Sequence, residues 1–165
     1  MLRGRPTLNS QLLTLNSQLS IRMTIKQISV FIENKAGTLQ KVLETLKSAN
    51  IQLIASTLAD TVDFGIYRII CSEPTRAFQV LKDAGIAVTY SDVFAVQLED
   101  RPGMAADAME IFAREDVEIT YLYSFLLGGK GILIFRTDNT ERAKEIIILE
   151  KLKFITDDQL LTLGK

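Results

Sequence analysis

The sequence contains no histidine and only one cysteine, Cys71. Histidine is the commonest general acid–base and metal-ligating side chain, so its absence removes the residue on which many catalytic and metal sites depend. A single cysteine cannot form a disulfide within the chain, and Cys71 lies in a β-branched, apolar stretch that favours a buried structural thiol. These absences leave catalysis by Asp, Glu, Lys or Tyr open but make an enzyme less expected, and we predict a non-catalytic protein that holds no metal and no cofactor.

The sequence also lacks long apolar runs and a strong excess of either charge. No stretch approaches the roughly 18 consecutive apolar residues of a transmembrane helix. The 19 basic and 20 acidic residues give a net charge of -1, which favours neither nucleic acid nor a membrane surface as a partner. With 47% hydrophobic and 24% charged residues over 165 positions, we expect a cytoplasmic globular protein of one domain or two small ones.

The start of the chain, up to position 22, differs from the rest. Residues 7–13 (TLNSQLL) are almost duplicated at 14–20 (TLNSQLS), and three arginines are the only charges. Polar residues interrupt the apolar core that a secretory signal needs. Our main interpretation is a leader, residues 1–22, that is disordered or not translated, with Met23 as the alternative start; a weak transit peptide stays open.

A regular order of strands and helices begins near residue 26. Residues 26–32, 51–58, 64–71 and 86–90 show the alternating or β-branched patterns of strands. Leu39, Val42, Leu43 and Leu46 recur at helical spacing, and a second helix is predicted to start at Pro74 and end at Gly85. This β-α-β-β-α-β order packs two helices on one face of an antiparallel sheet.

The same order then recurs at a fixed offset along the chain. One constant shift places Gly37 on Gly103 and Gly65 on Gly131. We predict two α+β units, residues 23–92 and 93–165, separated only by Ser91 and Asp92 and therefore packed rigidly. The last strand of the second unit is expected at 153–155, and the tail at 157–163 has no assigned conformation.

Several predicted strands are apolar on both faces. Residues 51–58 and 131–135 lack the clean alternation of a sheet with one wet face. We infer that the second sheet face is covered by the other unit or by a second chain.

The turns between the first strand and first helix of each unit, residues 32–38 and 98–104, are the candidate binding sites. Each places Asn34 or Asp100 three positions before a glycine. A helix that begins at that glycine directs its backbone N–H groups and positive dipole end at the turn, which suits a carboxylate. The glycine permits close approach, and the Asn34 or Asp100 oxygen can accept from an ammonium group. The alternative is that both residues are simply helix N-caps.

The unit length, the element order and the two turns together resemble the ACT domain. The matching segments are Asn34-Lys35-Ala36-Gly37-Thr38-Leu39 and Asp100-Arg101-Pro102-Gly103-Met104-Ala105. Residues 62–68 (VDFGIYR) and 121–125 (YLYSF) further resemble stand-alone tandem ACT proteins, and the resemblance extends from residue 26 to about 160. It implies two ferredoxin-like βαββαβ repeats with helices on one face, and a non-catalytic module that senses an amino acid. In this family the ligand usually lies between the first turn of one unit and the second strand of its neighbour.

That placement defines the remaining candidate residues. Gln52 follows Asn34 at the same spacing as Glu118 follows Asp100, and at this position the family often has asparagine. Tyr121, Tyr123 and Ser124 offer rings and hydroxyls for a ligand side chain, although cross-strand packing is an equally open interpretation. The predicted ligand-binding set is Asn34, Lys35, Ala36, Gly37, Thr38, Gln52, Asp100, Arg101, Pro102, Gly103, Met104, Glu118, Tyr121, Tyr123 and Ser124. The differences between the two turns predict unequal sites, or a single one.

Three other functions compete with amino acid sensing. A structural assembly subunit with decayed ligand sites stays open. An RNA-binding module has the same strand order, but residues 64–68 and 131–135 lack its basic and aromatic pattern. A small enzyme of this fold would need a nucleophile beside a base, which no motif supplies. The expected partners are a free amino acid or similar small ligand, a second copy of the chain in a homodimer, and an enzyme of amino acid metabolism.

Overall fold

A computed structural model describes residues 23–61 and 63–163. The predicted leader, residues 1–22, and positions 62, 164 and 165 lie outside the described residues. The strands are β1 (Thr24–Glu33), β2 (Leu53–Asp60), β3 (Phe64–Cys71), β4 (Val88–Leu98), β5 (Ile119–Leu127) and β6 (Lys130–Thr137). The helices are α1 (Thr38–Ser48), α2 (Pro74–Asp83), α3 (Met104–Arg114), α4 (Thr140–Leu149) and α5 (Asp157–Leu163).

The six strands form one antiparallel sheet in the order β2-β3-β1-β4-β6-β5. β4 belongs to both units, because residues 88–94 pair with β1 and residues 94–98 pair with β6. The two strands predicted on either side of Ser91 and Asp92 are therefore one continuous strand. The physical reason is local: residues 86–98 contain no glycine or proline that would turn the chain.

The last predicted strand, residues 153–155, is reduced to a single bridge between Phe154 and Val96. The N–H of Gln97 donates to the carbonyl of Lys153 at 2.7 Å, and the N–H of Ile155 donates to Ala95 at 2.8 Å. After this short pairing the chain enters α5, the segment that sequence patterns left unassigned. Residues 153–155 thus pair with the part of β4 that lies beyond Thr24, the first residue of β1.

Helices α1 to α4 lie on one face of the sheet, as predicted. Side chains along a strand alternate between faces, so Val88, Phe94 and Val96 of β4 share one face. Val88 packs against the core of the first unit, beneath α1 and α2, and Phe94 and Val96 belong to the core of the second unit, beneath α3 and α4. The helices bury their apolar stripes in these cores, with Val42 and Leu46 from α1 and Ala108 and Phe112 from α3. The two ferredoxin-like units are thus joined edge to edge.

The opposite face of the sheet is also buried, because the sheet curls around it. In a flat sheet with strands about 4.8 Å apart, β3 and β5 would lie about 19 Å from each other. Instead, the guanidinium carbon of Arg68 on β3 lies 3.9 Å from the ring centre of Tyr121 on β5. This concave face forms a third apolar cluster, which includes Ile25, Val93 and, from α5, Leu160. The prediction that part of the second face is covered is confirmed: the other unit and α5 cover it.

Candidate functional site

The second turn borders a cavity of about 380 Å³ on the helix-bearing side of the sheet. One wall is the turn itself, and the other is formed by the end of β5 and the start of β6. Its lining residues are Leu98, Glu99, Asp100, Arg101, Gly103, Met104, Ala105, Ser124, Phe125, Leu126, Gly131 and Ile132. The structure therefore brings together five predicted site residues: Asp100, Arg101, Gly103, Met104 and Ser124.

The backbone of this turn exposes the start of α3. Gly103 is the N-cap residue and has φ 91°, a left-handed conformation that residues with a side chain rarely adopt. None of the described side chains caps this helix start, and the first helical bond is donated by Asp107 to the Gly103 carbonyl at 3.0 Å. The alternative that Asp100 is the N-cap is therefore wrong. The amides of the first turn of α3 are left to meet solvent or a ligand.

The charged groups at the rim of the cavity have opposite signs. Arg101 forms an ion pair with Glu99 at 2.9 Å, and both side chains are largely exposed. Asp100 is exposed beside them, and Leu126 supplies apolar surface. The cavity thus combines a positive group, negative groups and an apolar side chain.

The first turn has the same backbone but different contacts. Gly37 is the N-cap of α1 with φ 89°, so Asn34 is not a cap either. The Asn34 amide donates to the Thr61 carbonyl at 2.8 Å, which ties the turn to the loop before β3. Thr38 directs its hydroxyl proton toward the carbonyls of Glu33 and Lys35, at 2.7 and 2.8 Å. Much of the polar capacity of this turn is thus satisfied by the chain itself.

Two side chains at the first turn are also larger and more apolar than their counterparts at the second turn. The repeat offset places Leu58 where the second unit has Ser124, and Leu39 where it has Ala105. Leu58 Cδ1 lies 3.1 Å from the position that a Cβ on Gly65 would occupy. Leu39 packs against the core of the first unit. The two turns therefore differ in space as well as in charge.

The other predicted residues lie apart from the cavity. Lys35 and Ala36 are exposed in the first turn, and Pro102 is exposed in the second. Gln52 and Glu118 are exposed just before β2 and β5, and neither lines the cavity. The strand that faces the second turn is β5 of the same unit, so within one chain this turn does not meet the second strand of its neighbour.

Tyr121 and Tyr123 point to the concave face, away from the cavity. Both bind Gln27 of β1, whose side chain is 0% exposed. The Gln27 amide nitrogen donates to the Tyr121 hydroxyl at 2.6 Å, and the Tyr123 hydroxyl donates to the Gln27 carbonyl oxygen at 2.9 Å. Burial raises the pKa of Tyr123, so its hydroxyl stays protonated and can donate this bond. The two tyrosines join the units rather than line the predicted site.

Sequence reasoning missed Gln27 and Arg68, the partners of these tyrosines. A signal was available in the repeat, because the offset places Gln27 on Val93 and Arg68 on Ile134. When a strand residue is polar in one unit and its counterpart in the other unit is apolar, the difference indicates a contact that only one unit makes. Here that contact is the junction between units.

Other reactive groups are inert or scattered. Burial raises the pKa of Cys71 to about 11, so the thiol is protonated at neutral pH. Within residues 23–61 and 63–163, no three His, Cys, Asp or Glu side chains cluster in a way that would hold a metal ion. Among the same residues, no helix has the length and apolar character of a membrane span.

Comparison with known proteins gives a family and several related structures. The ACT domain pair family matches residues 23–164. Protein BT0572 from Bacteroides thetaiotaomicron is 35% identical, with a TM-score of 0.80, over 84% of this chain and 96% of that one. No curated protein sequence matches this chain.

More distant structures share the fold. The regulatory subunit of aspartate kinase from Thermus thermophilus, in a ligand-free form, is 13% identical, with a TM-score of 0.56, over 78% of this chain and 93% of that one. The Thermus flavus regulatory subunit is 15% identical, with a TM-score of 0.55, over 75% of this chain and 90% of that one. The family match includes all of the described residues, and the chain belongs to the ACT domain pair family.

Proposed function

We propose that this protein is a non-catalytic regulator that binds a free amino acid at the second turn. The observation that carries the proposal is the cavity of about 380 Å³ between the start of α3 and β5. Its volume is within the range of small-molecule sites, and its lining combines apolar surface with a few polar groups.

Each part of an α-amino acid has a partner in this cavity. The carboxylate meets the free amides of the first turn of α3, where the helix dipole and Arg101 add positive potential. The ammonium group meets the carboxylate of Asp100. The Ser124 hydroxyl is a further polar group of the wall, and Leu126 contacts an aliphatic side chain.

The proposal assigns one site to each chain. At the first turn the equivalent space holds Leu58 in place of Ser124, and Asn34 is bonded to Thr61. A ligand there would have to displace Leu58, and its ammonium group would meet an amide instead of a carboxylate. The prediction of unequal sites takes the form of one open site and one filled site.

Membership of the family and the fold shared with regulatory subunits of aspartate kinase support a regulatory role. The natural target is an enzyme of amino acid metabolism in the cytoplasm. Its activity changes when an amino acid binds at the second turn of this protein. In this proposal the regulated chemistry belongs to the partner enzyme.

We also propose that two copies pair along β5. This edge strand of nine residues has no charged side chain, and Leu122 and Leu126 are 46% and 66% exposed. Both edge strands carry a register shift near their start, between Leu53 and Ala55 on β2 and between Ile119 and Tyr121 on β5, but β2 ends at Asp60, and a charge on an edge discourages pairing. Antiparallel pairing of β5 with its copy would bring a second chain to the mouth of the cavity, and so place the ligand where two repeats meet.

Leu126→Lys is expected to convert the dimer to a monomer, because a charge on an unpaired edge opposes pairing. Sedimentation equilibrium would show the mass fall from twice 18.4 kDa to 18.4 kDa. Leu149→Lys is the matched control, since Leu149 is an exposed leucine on α4. A wild-type protein that sediments as a single chain would contradict pairing along β5.

The amino acid itself is identified by thermal-shift measurement with each of the twenty amino acids. A ligand at 100 times its dissociation constant adds about 2.7 kcal/mol to the free energy of unfolding, which gives a clear rise in Tm. We expect a rise with one amino acid or a few of similar side chain. If a folded sample shows no rise with any of them, the proposed function fails and the structural assembly subunit becomes the better interpretation.

A further inference from the structure

A second cavity of about 380 Å³ lies on the concave side of the sheet, beneath α5. We call it the α5 cavity; it is lined by Gln97, Lys130, Lys153, Phe154, Ile155, Asp158, Gln159, Thr162 and Leu163. It shares no lining residue with the cavity of the second turn, and the sheet separates the two. It exists because the chain turns after residue 155 and α5 returns over the sheet.

Two lysines, Lys130 and Lys153, line this cavity. Across residues 23–61 and 63–163, no carboxylate forms an ion pair with either lysine, and neither ammonium group has a hydrogen bond. Lys130 is half-buried at the start of β6, where a two-glycine turn at Gly128 and Gly129 fixes its position. Among the lining residues that the structure describes, Asp158 is the one acidic residue, so these side chains carry a net positive charge.

The repeat supplies an internal comparison for these charges. Its offset places Gln97 on Phe31, Lys130 on Phe64 and Lys153 on Ala87. The positions are structurally equivalent, because the Phe31 N–H donates to the Ala87 carbonyl at 2.9 Å as Gln97 does to Lys153.

The first unit thus builds the same strands with apolar residues. There, Phe31 and Phe64 are 46% and 58% exposed. The fold therefore does not require an amide and two lysines at these positions, and their presence calls for another reason.

We propose that the α5 cavity binds a small monocarboxylate with a short aliphatic chain. The ammonium groups of Lys130 and Lys153 pair with the carboxylate, and charge-assisted bonds of this kind are the stronger hydrogen bonds. Ile155 and Leu163, which belong to the apolar cluster of the concave face, contact the aliphatic part. Asp158 in the same lining opposes anions of higher charge. The site is independent of the proposed amino acid site, since it uses other residues on the other face of the sheet.

The test uses isobutyrate and pyruvate as probes, with calorimetry on the full chain. We expect saturable binding that weakens at least about tenfold in the double variant Lys130→Gln, Lys153→Gln, which removes both charges and keeps much of each side-chain stem. Lys41→Gln is the matched control, because Lys41 is an exposed lysine on α1 that lies outside the α5 cavity. Circular dichroism and Tm confirm that each variant is folded.

A variant of the other cavity separates the two sites. Ser124→Leu obstructs the second turn and is expected to leave isobutyrate binding unchanged. Loss of binding in Ser124→Leu, or equal affinity in the double lysine variant, would overturn the proposal. The same holds if neither probe saturates below about 10 mM, or if inorganic phosphate binds more tightly than both.

Discussion

Leucine in place of Ser124 is expected to weaken amino acid binding by about 100-fold, a loss of about 2.7 kcal/mol. The first unit shows how the change acts, because Leu58 occupies the equivalent position. Its Cδ1 lies 3.1 Å from where a Cβ on Gly65 would be, and Gly65 is the counterpart of Gly131 in the lining of the cavity at the second turn. A leucine at 124 would therefore fill the space beside Gly131 and remove the hydroxyl.

The fold is expected to tolerate this substitution. Ser124 is exposed on β5, and the repeat already accepts leucine at this place in the sheet. Calorimetric titration with the amino acid found by thermal shift measures the change in Kd. Thr120→Leu is the matched control, because Thr120 is exposed on β5 and is outside the cavity lining. Unchanged affinity in Ser124→Leu would show that the ligand binds elsewhere.

Most of the architecture follows from local patterns that repeat. Gly37 and Gly103 have φ of 89° and 91°, values that glycine adopts at no steric cost, so both helix starts were readable from the glycines alone. The apolar stripes that contain Val42 in α1 and Ala108 in α3 are buried as their spacing predicted. The fixed offset then carries each assignment from one unit to the other.

The junction between the units could not be read in the same way. Residues 86–98 contain no breaker, and local propensity does not decide between one long strand and two short ones. The apolar character of both sheet faces showed that something covers the second face. Whether that is the other unit, α5 or a second chain depends on how far the sheet curls, which no local pattern encodes.

The sequence predicted correctly those parts of the candidate cavity whose residues are close together along the chain. Asp100, Arg101 and Gly103 lie in one turn, so they had to come together. Tyr123 and Ser124 were grouped although neighbours along a strand point to opposite faces. Strand alternation alone therefore separates the tyrosines from Ser124. The place of Gln52 or Glu118 relative to the turns depends on which strand edges meet, which sequence spacing does not determine.

Gln27→Leu is expected to lower the free energy of unfolding by about 3 kcal/mol, because it leaves buried hydroxyls without partners. Gln27 is fully buried between the units and bonds Tyr121, Tyr123 and, at 3.3 Å, Ser29. Leucine fills a volume similar to that of glutamine, so the decrease in the free energy of unfolding comes mainly from the lost hydrogen bonds and not from an empty cavity. Urea denaturation measures the change, with Gln52→Leu as the control, since that glutamine is exposed and should change stability by less than about 0.5 kcal/mol.

A double-mutant cycle with Tyr123→Phe shows whether the loss comes from the junction. The Tyr123 hydroxyl donates to Gln27 at 2.9 Å. The double variant should therefore lose less free energy of unfolding than the sum of the losses in the two single variants, by about 1 kcal/mol or more. Strictly additive changes would mean that this contact does not join the units in solution.

Tyr123 is adjacent to Ser124 on β5, the strand that forms one wall of the proposed amino acid cavity. The hydrogen bond between Tyr123 and Gln27 therefore anchors this wall to the first unit. The first unit thus contributes to the proposed site by fixing this wall, although its own turn has Leu58 in place of Ser124.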